Sequence, residues 1–376
     1  MSLTATDRPL WARALIDPAA FDREQAQLGH YWTLLGLTTD LANDGDWFRA
    51  TLGGRSVFVQ RFADTLRGFE NRCAHRFYPL RTSDKGNGVI RCGFHHWQYD
   101  KEGRALGIPK CQEMFGKTPR ELDARLNRVE VATCGILVFG RFPSANASET
   151  LEQYLGDGFA ILRAMCAPNP SPLYLNRPVA ANWRLCFHIT LDDYHIVAVH
   201  PHTVGRSGYM QADRVRYFRF GRHSAFFETD TLATMAAQCR EGSYRPTEYR
   251  ILQFFPNLVA VHFCAARNWY VALQQYLPLA CDRSLLRAWA FPAPFPAQDR
   301  DWRDRLLRKF TTPLVSLGLR YQWPKVLGED HAVCEQLQTI ARQVEGWPIL
   351  GKQEQRIAWF EEVYAEAMAA PVEKSP

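Results

Sequence analysis

Two short segments that each combine one cysteine with one histidine constrain this 376-residue chain more than any other feature. The first is C-x-H, formed by Cys73 and His75, and after sixteen further residues the second is C-x2-H, formed by Cys92 and His95. Both lie in β-rich sequence beside turn residues, where loops can present side chains from a rigid scaffold. Two thiolates and two imidazoles in mixed pairs can hold two metal ions, one through each ligand type.

Zinc is the main chemical alternative for two cysteines and two histidines. Zinc sites more often place like ligands together, as in C-x2–4-C and H-x3–5-H. The mixed pairs instead favour a Rieske [2Fe–2S] centre, in which histidines replace two of the four cysteines. His96 directly follows His95, but the x2 spacing favours His95 as the ligand, and nothing pairs Cys111 with the centre. The sequence therefore predicts electron transfer.

Composition places few further limits on the chain. Hydrophobic residues make up 47% and charged residues 22%, which is ordinary for a globular protein long enough to form two domains. The net charge of +6 is spread along the chain, so we expect a solvated surface and no nucleic-acid partner. No segment resembles a signal peptide or a transmembrane helix, so we expect a cytoplasmic protein without a membrane partner. The remaining eight cysteines show no paired spacing and are expected to be free buried thiols.

The secondary-structure pattern divides the chain and predicts an α+β protein. Residues 46–145 consist of short β-rich runs separated by turn signals and predict an all-β domain around the cysteine–histidine pairs. Residues 146–376 predict an α+β domain, with strand-like runs between 172 and 292 and helices from about 301 onward. Residues 1–45 are expected to form a lead-in that packs on this larger domain.

A second group of candidate ligands lies in the segment NWRLCFHITLDDYHIVAVHPH, residues 182–202. Asp192, His195 and His200 are spaced D-x2-H-x4-H. If the segment is helical, Asp192 and His195 share a face, whereas His200 needs a distorted turn to reach the same point. Two histidines and a distant carboxylate form the ligand set of mononuclear non-haem Fe(II) sites with open positions. Such histidines are also common on surfaces and in cores, but a chain with an electron-transfer centre also needs an electron acceptor.

These motifs resemble those of one known family. The matching residues are C-x-H-R, C-x2-H followed by Trp97 and Tyr99, Asn182–Trp183, Tyr194–His195 and Phe255–Pro256–Asn257. Over about its whole length the chain resembles the α (oxygenase) component of Rieske non-haem iron oxygenases, which include ring-hydroxylating dioxygenases, monooxygenases and demethylases. The resemblance implies an N-terminal all-β Rieske domain followed by an α+β helix-grip catalytic domain, with an antiparallel sheet and helices.

The resemblance also implies roles for individual residues. The [2Fe–2S] ligands would be Cys73, His75, Cys92 and His95. His195 and His200 would bind the mononuclear Fe(II), and Asp192 would link this site to a Rieske histidine of a neighbouring subunit. The third iron ligand in this family is an acidic residue near the start of a C-terminal helix. Here GEDHAVCEQLQ offers Glu329 and Asp330, and the position ahead of C-E-x-L-Q favours Asp330.

Four positions depart from the family pattern. Phe187 and His188 stand where a Glu-Asn pair is common, so the surroundings of the iron differ, and His188 is expected to lie close to the iron ligands or to be simply packed. Phe77 and His96 stand where the two cluster motifs usually have glycine. The substitutions remove no proposed ligand and indicate a divergent subgroup.

The resemblance implies an aromatic-ring-hydroxylating oxygenase. A reductase, directly or through a ferredoxin, would supply electrons from NAD(P)H, and O2 would be used to dioxygenate, monooxygenate or demethylate an apolar aromatic small molecule. Arg184 or Arg250 could pair with a substrate carboxylate. The expected assembly is a head-to-tail homotrimer, or an α3β3 hexamer with small β subunits. The alternative is a non-catalytic Rieske-type electron carrier, although such a carrier needs only about one small domain.

Overall fold

The protein forms two compact units. The computed structural model describes residues 14–144, 148–166, 172–203, 215–227, 230–265, 268–295, 302–343 and 346–370. Among the described residues, the smaller unit covers residues 28–151, and the larger unit combines residues 14–27 with residues 152–370. The lead-in predicted over residues 1–45 is therefore divided between the units, with helix α1 (Pro18–Leu28) ending at the division. The predicted boundary at residues 145–146 lies outside the described residues.

The smaller unit consists mainly of antiparallel β-structure. Its strands, in chain order, are β1 (Thr33–Leu37), β2 (Asp46–Leu52), β3 (Arg55–Phe62), β4 (Thr65–Glu70), β5 (Lys85–Asn87), β6 (Ile90–Arg91), β7 (Gln98–Tyr99), β8 (Ala105–Gly107), β9 (Arg128–Cys134) and β10 (Leu137–Arg141). One sheet has the order β1-β10-β9-β4-β3-β2-β5 and the other the order β6-β7-β8. Two short helices, α2 (Cys111–Phe115) and α3 (Pro119–Leu122), follow β8. Gly53 and Gly54 both have positive φ, as the two-residue turn between β2 and β3 requires.

The loops that carry the cysteine–histidine pairs are part of the core of this unit. The Cys73 loop follows β4, and the Cys92 loop joins β6 to β7. Both cysteines are buried, in one cluster with Phe69, Trp97 and other apolar side chains. A closely packed core leaves little freedom to shift side chains, so it fixes both loops.

The larger unit is built on a second seven-stranded antiparallel sheet. Its strands are β11 (Leu173–Val179), β12 (Arg216–Phe220), β13 (His223–Phe227), β14 (Arg250–Phe254), β15 (Leu258–Ala265), β16 (Asn268–Ala280) and β17 (Arg283–Pro292). Their order is β11-β17-β16-β15-β14-β13-β12. All residues of β13 and β14 are buried, so both faces of these strands are covered and their sequences do not alternate strictly between apolar and polar residues. The predicted α+β class is confirmed by both sheets.

Helices complete the larger unit. They are α4 (Leu151–Leu155), α5 (Asp157–Met165), α6 (Trp183–His188), α7 (Ile196–Val199), α8 (Leu232–Glu241), α9 (Trp302–Ile340) and α10 (Gln355–Ala369). The sequence suggested separate helical segments between 301 and 344, but α9 continues through Pro313 and Pro324 as one helix of 39 residues. Among the described residues, no helix combines the length and the apolar character needed to cross a membrane.

The segment over residues 182–202 is not one continuous helix. The side chain of Asn182 caps α6 by accepting the Arg184 amide at 2.9 Å. After α6 a short 3-10 turn, Ile189–Leu191, leads to Asp192, whose backbone is extended with φ −102° and ψ 119°. α7 then begins, with His195 directly before it and His200 directly after it. This break supplies the distortion that the spacing of the two histidines requires.

Candidate metal centres

The two cluster loops have the same backbone geometry. In each loop the cysteine amide donates to the carbonyl five residues further on, at 2.9 Å for both Cys73 and Cys92. The residue four positions after each cysteine donates back to the cysteine carbonyl at 3.0 Å. Those residues are Phe77, with φ 60°, and His96, with φ 59°. Left-handed backbone favours glycine, so each loop holds a residue with a side chain in a conformation that glycine adopts at lower cost.

The four predicted cluster ligands converge at the ends of these loops. The rings of His75 and His95 lie 4.6 Å apart between centroids. The Nδ1 atoms of both rings are buried and have no hydrogen-bond partner among the described residues. Two buried thiols and two unpaired imidazole nitrogens fit the donor set of a Rieske cluster. Cys111 packs in the same core. The eight cysteines outside the two cluster motifs form no disulfide, and all of them are buried except Cys264 and Cys281, which are partly exposed.

Neighbouring groups hold the ligands in place. The Tyr99 hydroxyl lies 3.0 Å from the Cys73 Sγ and accepts the Ala74 amide at 3.1 Å. The indole of Trp97 stacks on the His75 ring, with centroids 4.8 Å apart and planes 4° apart. The pKa of Tyr99 is raised well above its usual value. Burial is the larger cause and the neighbouring Cys73 is the second. Tyr99 therefore stays protonated and can donate to a thiolate.

In the larger unit, three predicted ligands meet although Asp330 lies 130 residues beyond His200, the nearer histidine in sequence. Asp330 lies on α9, and its Oδ1 is 3.4 Å from Nε2 of His195 and 2.8 Å from Nε2 of His200. One ligand atom from each of the three residues lies within 4.8 Å of the others. Asp330 Oδ1 is buried and makes no hydrogen bond within the described part of the chain. Two imidazole nitrogens and one carboxylate oxygen facing each other in this way fit a divalent transition metal such as Fe(II).

Each histidine presents its other nitrogen to a second carboxylate. His200 Nδ1 lies 2.7 Å from Glu329 Oε2, which also accepts the hydroxyl of Thr203 at 2.8 Å. His195 Nδ1 lies 3.5 Å from Asp192 Oδ2. Glu329, the alternative third ligand, is therefore on the side of His200 opposite to Asp330. This arrangement favours Asp330 as the ligand.

The electrostatics of this group indicate an excess of negative charge. Burial alone would lower the pKa of His195, but Asp192 and Asp330 outweigh burial and raise it to about 9. Burial would raise the pKa of Asp330, but the two imidazoles outweigh it and lower the pKa instead. Three carboxylates around two imidazoles thus favour positive charge at this point, and a divalent cation would supply it.

Asp192 has a fixed orientation that its neighbours determine. Its Oδ1 accepts the amides of Tyr194 at 2.7 Å and His195 at 3.2 Å. Asp193 points the other way and forms a fully buried ion pair with Arg356 of α10 at 2.7 Å. Sequence inspection did not identify Arg356, because a lone arginine 163 residues away carries no local signal.

The two arginines considered for substrate binding are already paired. Arg184 donates to both carboxylate oxygens of Glu361 at 2.6 Å, and Arg250 contacts Asp230 at 2.9 Å and Glu248 at 3.4 Å. His188, left open by the sequence, bonds Glu361 through Nε2 at 2.8 Å. Both arginines thus form internal ion pairs. His188 of α6 contacts Glu361 of α10 and so links the two helices.

Two models of known protein families match the chain. Residues 31–129 match the Rieske [2Fe-2S] domain model, and residues 163–370 match the model of the ring hydroxylating alpha subunit (catalytic domain). The second match covers more than half of the chain, so the chain belongs to the family of ring-hydroxylating α subunits, the oxygenase components that carry a Rieske domain.

Two individual proteins with similar sequences share 30% identity or less with this chain. The large subunit of anthranilate 1,2-dioxygenase from Burkholderia cepacia is 30% identical over 60% of this chain and 56% of its own length. The oxygenase subunit of carnitine monooxygenase from Escherichia coli (strain K12) is 28% identical over 54% of each chain. The aligned part thus spans about half the length of these relatives. Naphthalene 1,2-dioxygenase from Rhodococcus sp. has the same fold, with a TM-score of 0.72, 19% identity and coverage of 96% of this chain and 94% of its own.

Proposed function

We propose that this chain is a terminal oxygenase component that uses O2 and electrons from NAD(P)H to hydroxylate an apolar aromatic small molecule. The observation that carries the proposal is the convergence of His195, His200 and Asp330 in a chain that also contains a Rieske domain. An electron carrier alone does not need a second metal site. The anthranilate-directed relative, by its name, acts on an aromatic compound, which supports the substrate class.

Each centre has a distinct set of proposed ligands. Those of the [2Fe–2S] cluster are Cys73, His75, Cys92 and His95, and those of the mononuclear iron are His195, His200 and Asp330. Bound at these sites, the two groups would supply one-electron transfer and the activation of O2. The protein contributes position, charge and the exclusion of water.

Several side chains prepare the sites for this chemistry. Tyr99 donates to the Cys73 thiolate and spreads its negative charge. Asp192, held by two backbone amides, keeps one oxygen directed at His195. We infer that the same carboxylate accepts a hydrogen bond from a Rieske histidine of a neighbouring subunit and so connects the two centres in a head-to-tail trimer. The reductase and ferredoxin would dock at the assembled oxygenase, and the free thiols suit a cytoplasmic location.

Metal analysis and mutation of a ligand test this function. The isolated protein should contain about three irons per chain, two of them with a Rieske-type EPR signal after reduction. His195→Ala should lose about one iron, keep the cluster signal and lose substrate oxidation. His202→Ala is the matched control, because His202 is an exposed histidine of the same segment. Turnover by His195→Ala would refute the site, and two irons in the unmutated protein would favour the electron carrier.

Substrate class and assembly are tested separately. Oxygen-dependent NADH consumption should be screened with a matching reductase on aromatic acids, aromatic amines and methyl ethers, and with carnitine as the non-aromatic comparison. A trimer should have a mass of about 130 kDa by light scattering, three times the 43.2 kDa of one chain. A monomer that turns over substrate at full rate would contradict the electron path between subunits.

A further inference from the structure

The imidazole of His200 lies between two carboxylates that come from adjacent residues of one helix. Its Nε2 is 2.8 Å from Asp330 Oδ1, and its Nδ1 is 2.7 Å from Glu329 Oε2. Adjacent residues of an α-helix point about 100° apart, so one turn of α9 can reach both edges of the same ring. The two carboxylates therefore have different relations to any metal that binds at Nε2.

The contact with Glu329 determines which nitrogen of His200 carries the proton. A neutral imidazole has one N–H, and a carboxylate can only accept a hydrogen bond. The bond to Glu329 therefore places the hydrogen on Nδ1 and leaves the lone pair of Nε2 directed towards Asp330 and His195. A negative charge beside Nδ1 also increases the basicity of Nε2.

Glu329 is itself held in position. Thr203 donates its hydroxyl to the same Oε2 atom at 2.8 Å. By contrast, Asp192 is 3.5 Å from His195 Nδ1, and the two atoms form no hydrogen bond. Of the two rings, His200 is the one whose orientation a carboxylate fixes firmly.

We propose that Glu329 is a positioning residue of the mononuclear metal site, which fixes the tautomer and the orientation of His200 and does not bind the metal. The inference rests on the proposed function of His195, His200 and Asp330 as ligands. The two adjacent acidic residues then have separate roles. Glu329 accepts the hydrogen bond of His200 Nδ1, and Asp330 binds the metal on the Nε2 side. Loss of such a carboxylate weakens metal binding by about 10–100-fold in other sites.

Cobalt binding tests the proposal without turnover. The mononuclear iron is removed with a chelator, the cluster is kept oxidised, and Co(II) affinity is measured by equilibrium dialysis on the full chain. Glu329→Gln should weaken Co(II) binding by about 10–100-fold, and Thr203→Val should weaken it less. Glu335→Gln is the matched control: it makes the same chemical change on the same helix, at a residue that bonds the Ala180 amide instead of a histidine. Its affinity should be unchanged.

The EPR spectrum of bound Co(II) separates a positioning role from a ligand role. If Glu329 only positions His200, Co(II) bound to Glu329→Gln at saturation should give the spectrum of the unmutated protein. A spectrum with a changed ligand set would make Glu329 a ligand and overturn the proposal, as would an unchanged affinity. If the unmutated protein binds no Co(II) while its cluster remains intact, the proposed metal site itself is wrong.

Discussion

Phe77 provides the sharpest test of how this chain tolerates its departures from the family pattern. Its φ of 60° lies in the left-handed region, where a side chain costs about 1–2 kcal/mol. The side chain is 67% exposed and therefore gains little from burial. The Arg72 guanidinium lies over the ring, 5.6 Å from its centroid. The native structure therefore holds a strained residue at the edge of the cluster loop.

Comparison of Phe77→Gly with Phe77→Ala isolates this strain. Both variants lose the ring and its contact with Arg72, so that loss cancels in the difference. Glycine removes the left-handed strain of about 1–2 kcal/mol but adds about 0.5–1 kcal/mol of chain entropy cost. We therefore expect Phe77→Gly to be about 0.5–1 kcal/mol more stable than Phe77→Ala. At His96, where φ is 59°, the glycine variant should likewise be more stable than the alanine variant.

The assay follows the visible absorption of the [2Fe–2S] cluster in urea, because loss of the cluster reports unfolding of the smaller unit. The control is Glu113, an exposed residue in the middle of α2, where helical backbone makes Glu113→Gly less stable than Glu113→Ala by about 0.5–1 kcal/mol. The difference in stability between the glycine and the alanine variant should thus have opposite signs at Phe77 and Glu113. If glycine is the less stable choice at Phe77 as well, the argument from backbone strain is wrong.

Three further predictions concern buried polar groups. Glu361→Gln should destabilise the larger unit by about 3–5 kcal/mol, seen by thermal denaturation, because it leaves buried Arg184 without its charged partner; a loss below about 1 kcal/mol would contradict this. Burial lowers the pKa of His223 to about 4, below its unfolded value of about 6.5, so stability should be complete above pH 6.5 and fall by about 3 kcal/mol as pH decreases to 4. Urea midpoints across this range should fall less steeply for His223→Gln, and equal slopes would refute the assignment. Tyr99→Phe should lower the reduction potential of the cluster in a spectroelectrochemical titration, because the hydrogen bond to Cys73 stabilises the reduced, more negative form; an unchanged potential would mean that this bond does not act on the cluster.

The cluster loops could be predicted from sequence because their geometry is local. Each ligand pair spans at most four residues, and the backbone bonds that shape each loop close within six residues of the cysteine. The departures at Phe77 and His96 were also visible in sequence, although the positive φ of both residues was not. Spacing and residue type were sufficient here because no distant partner has to be chosen.

The segment over residues 182–202 was only partly predictable. Its residue types indicated a metal site, but a helical interpretation missed the extended residue Asp192 between two short helices. Helical periodicity cannot report a break that is stabilised by tertiary contacts such as the Asp193–Arg356 ion pair. The sequence could therefore name candidate ligands but not the turn that brings them together.

By itself, the sequence determined the class of protein, and it predicted the four cluster residues and the two histidines of the second site. Only the tertiary structure decided which acidic side chain faces which nitrogen of His200, because Glu329 and Asp330 are adjacent and chemically similar. It also decided that Arg184 and Arg250 are engaged in internal ion pairs. The physical reason is that loop motifs are specified by neighbours along the chain, whereas the choice of partner for a charged side chain depends on tertiary packing. Arg184 pairs with Glu361, 177 residues away, and even the Asp230 that pairs with Arg250 lies 20 residues away in sequence.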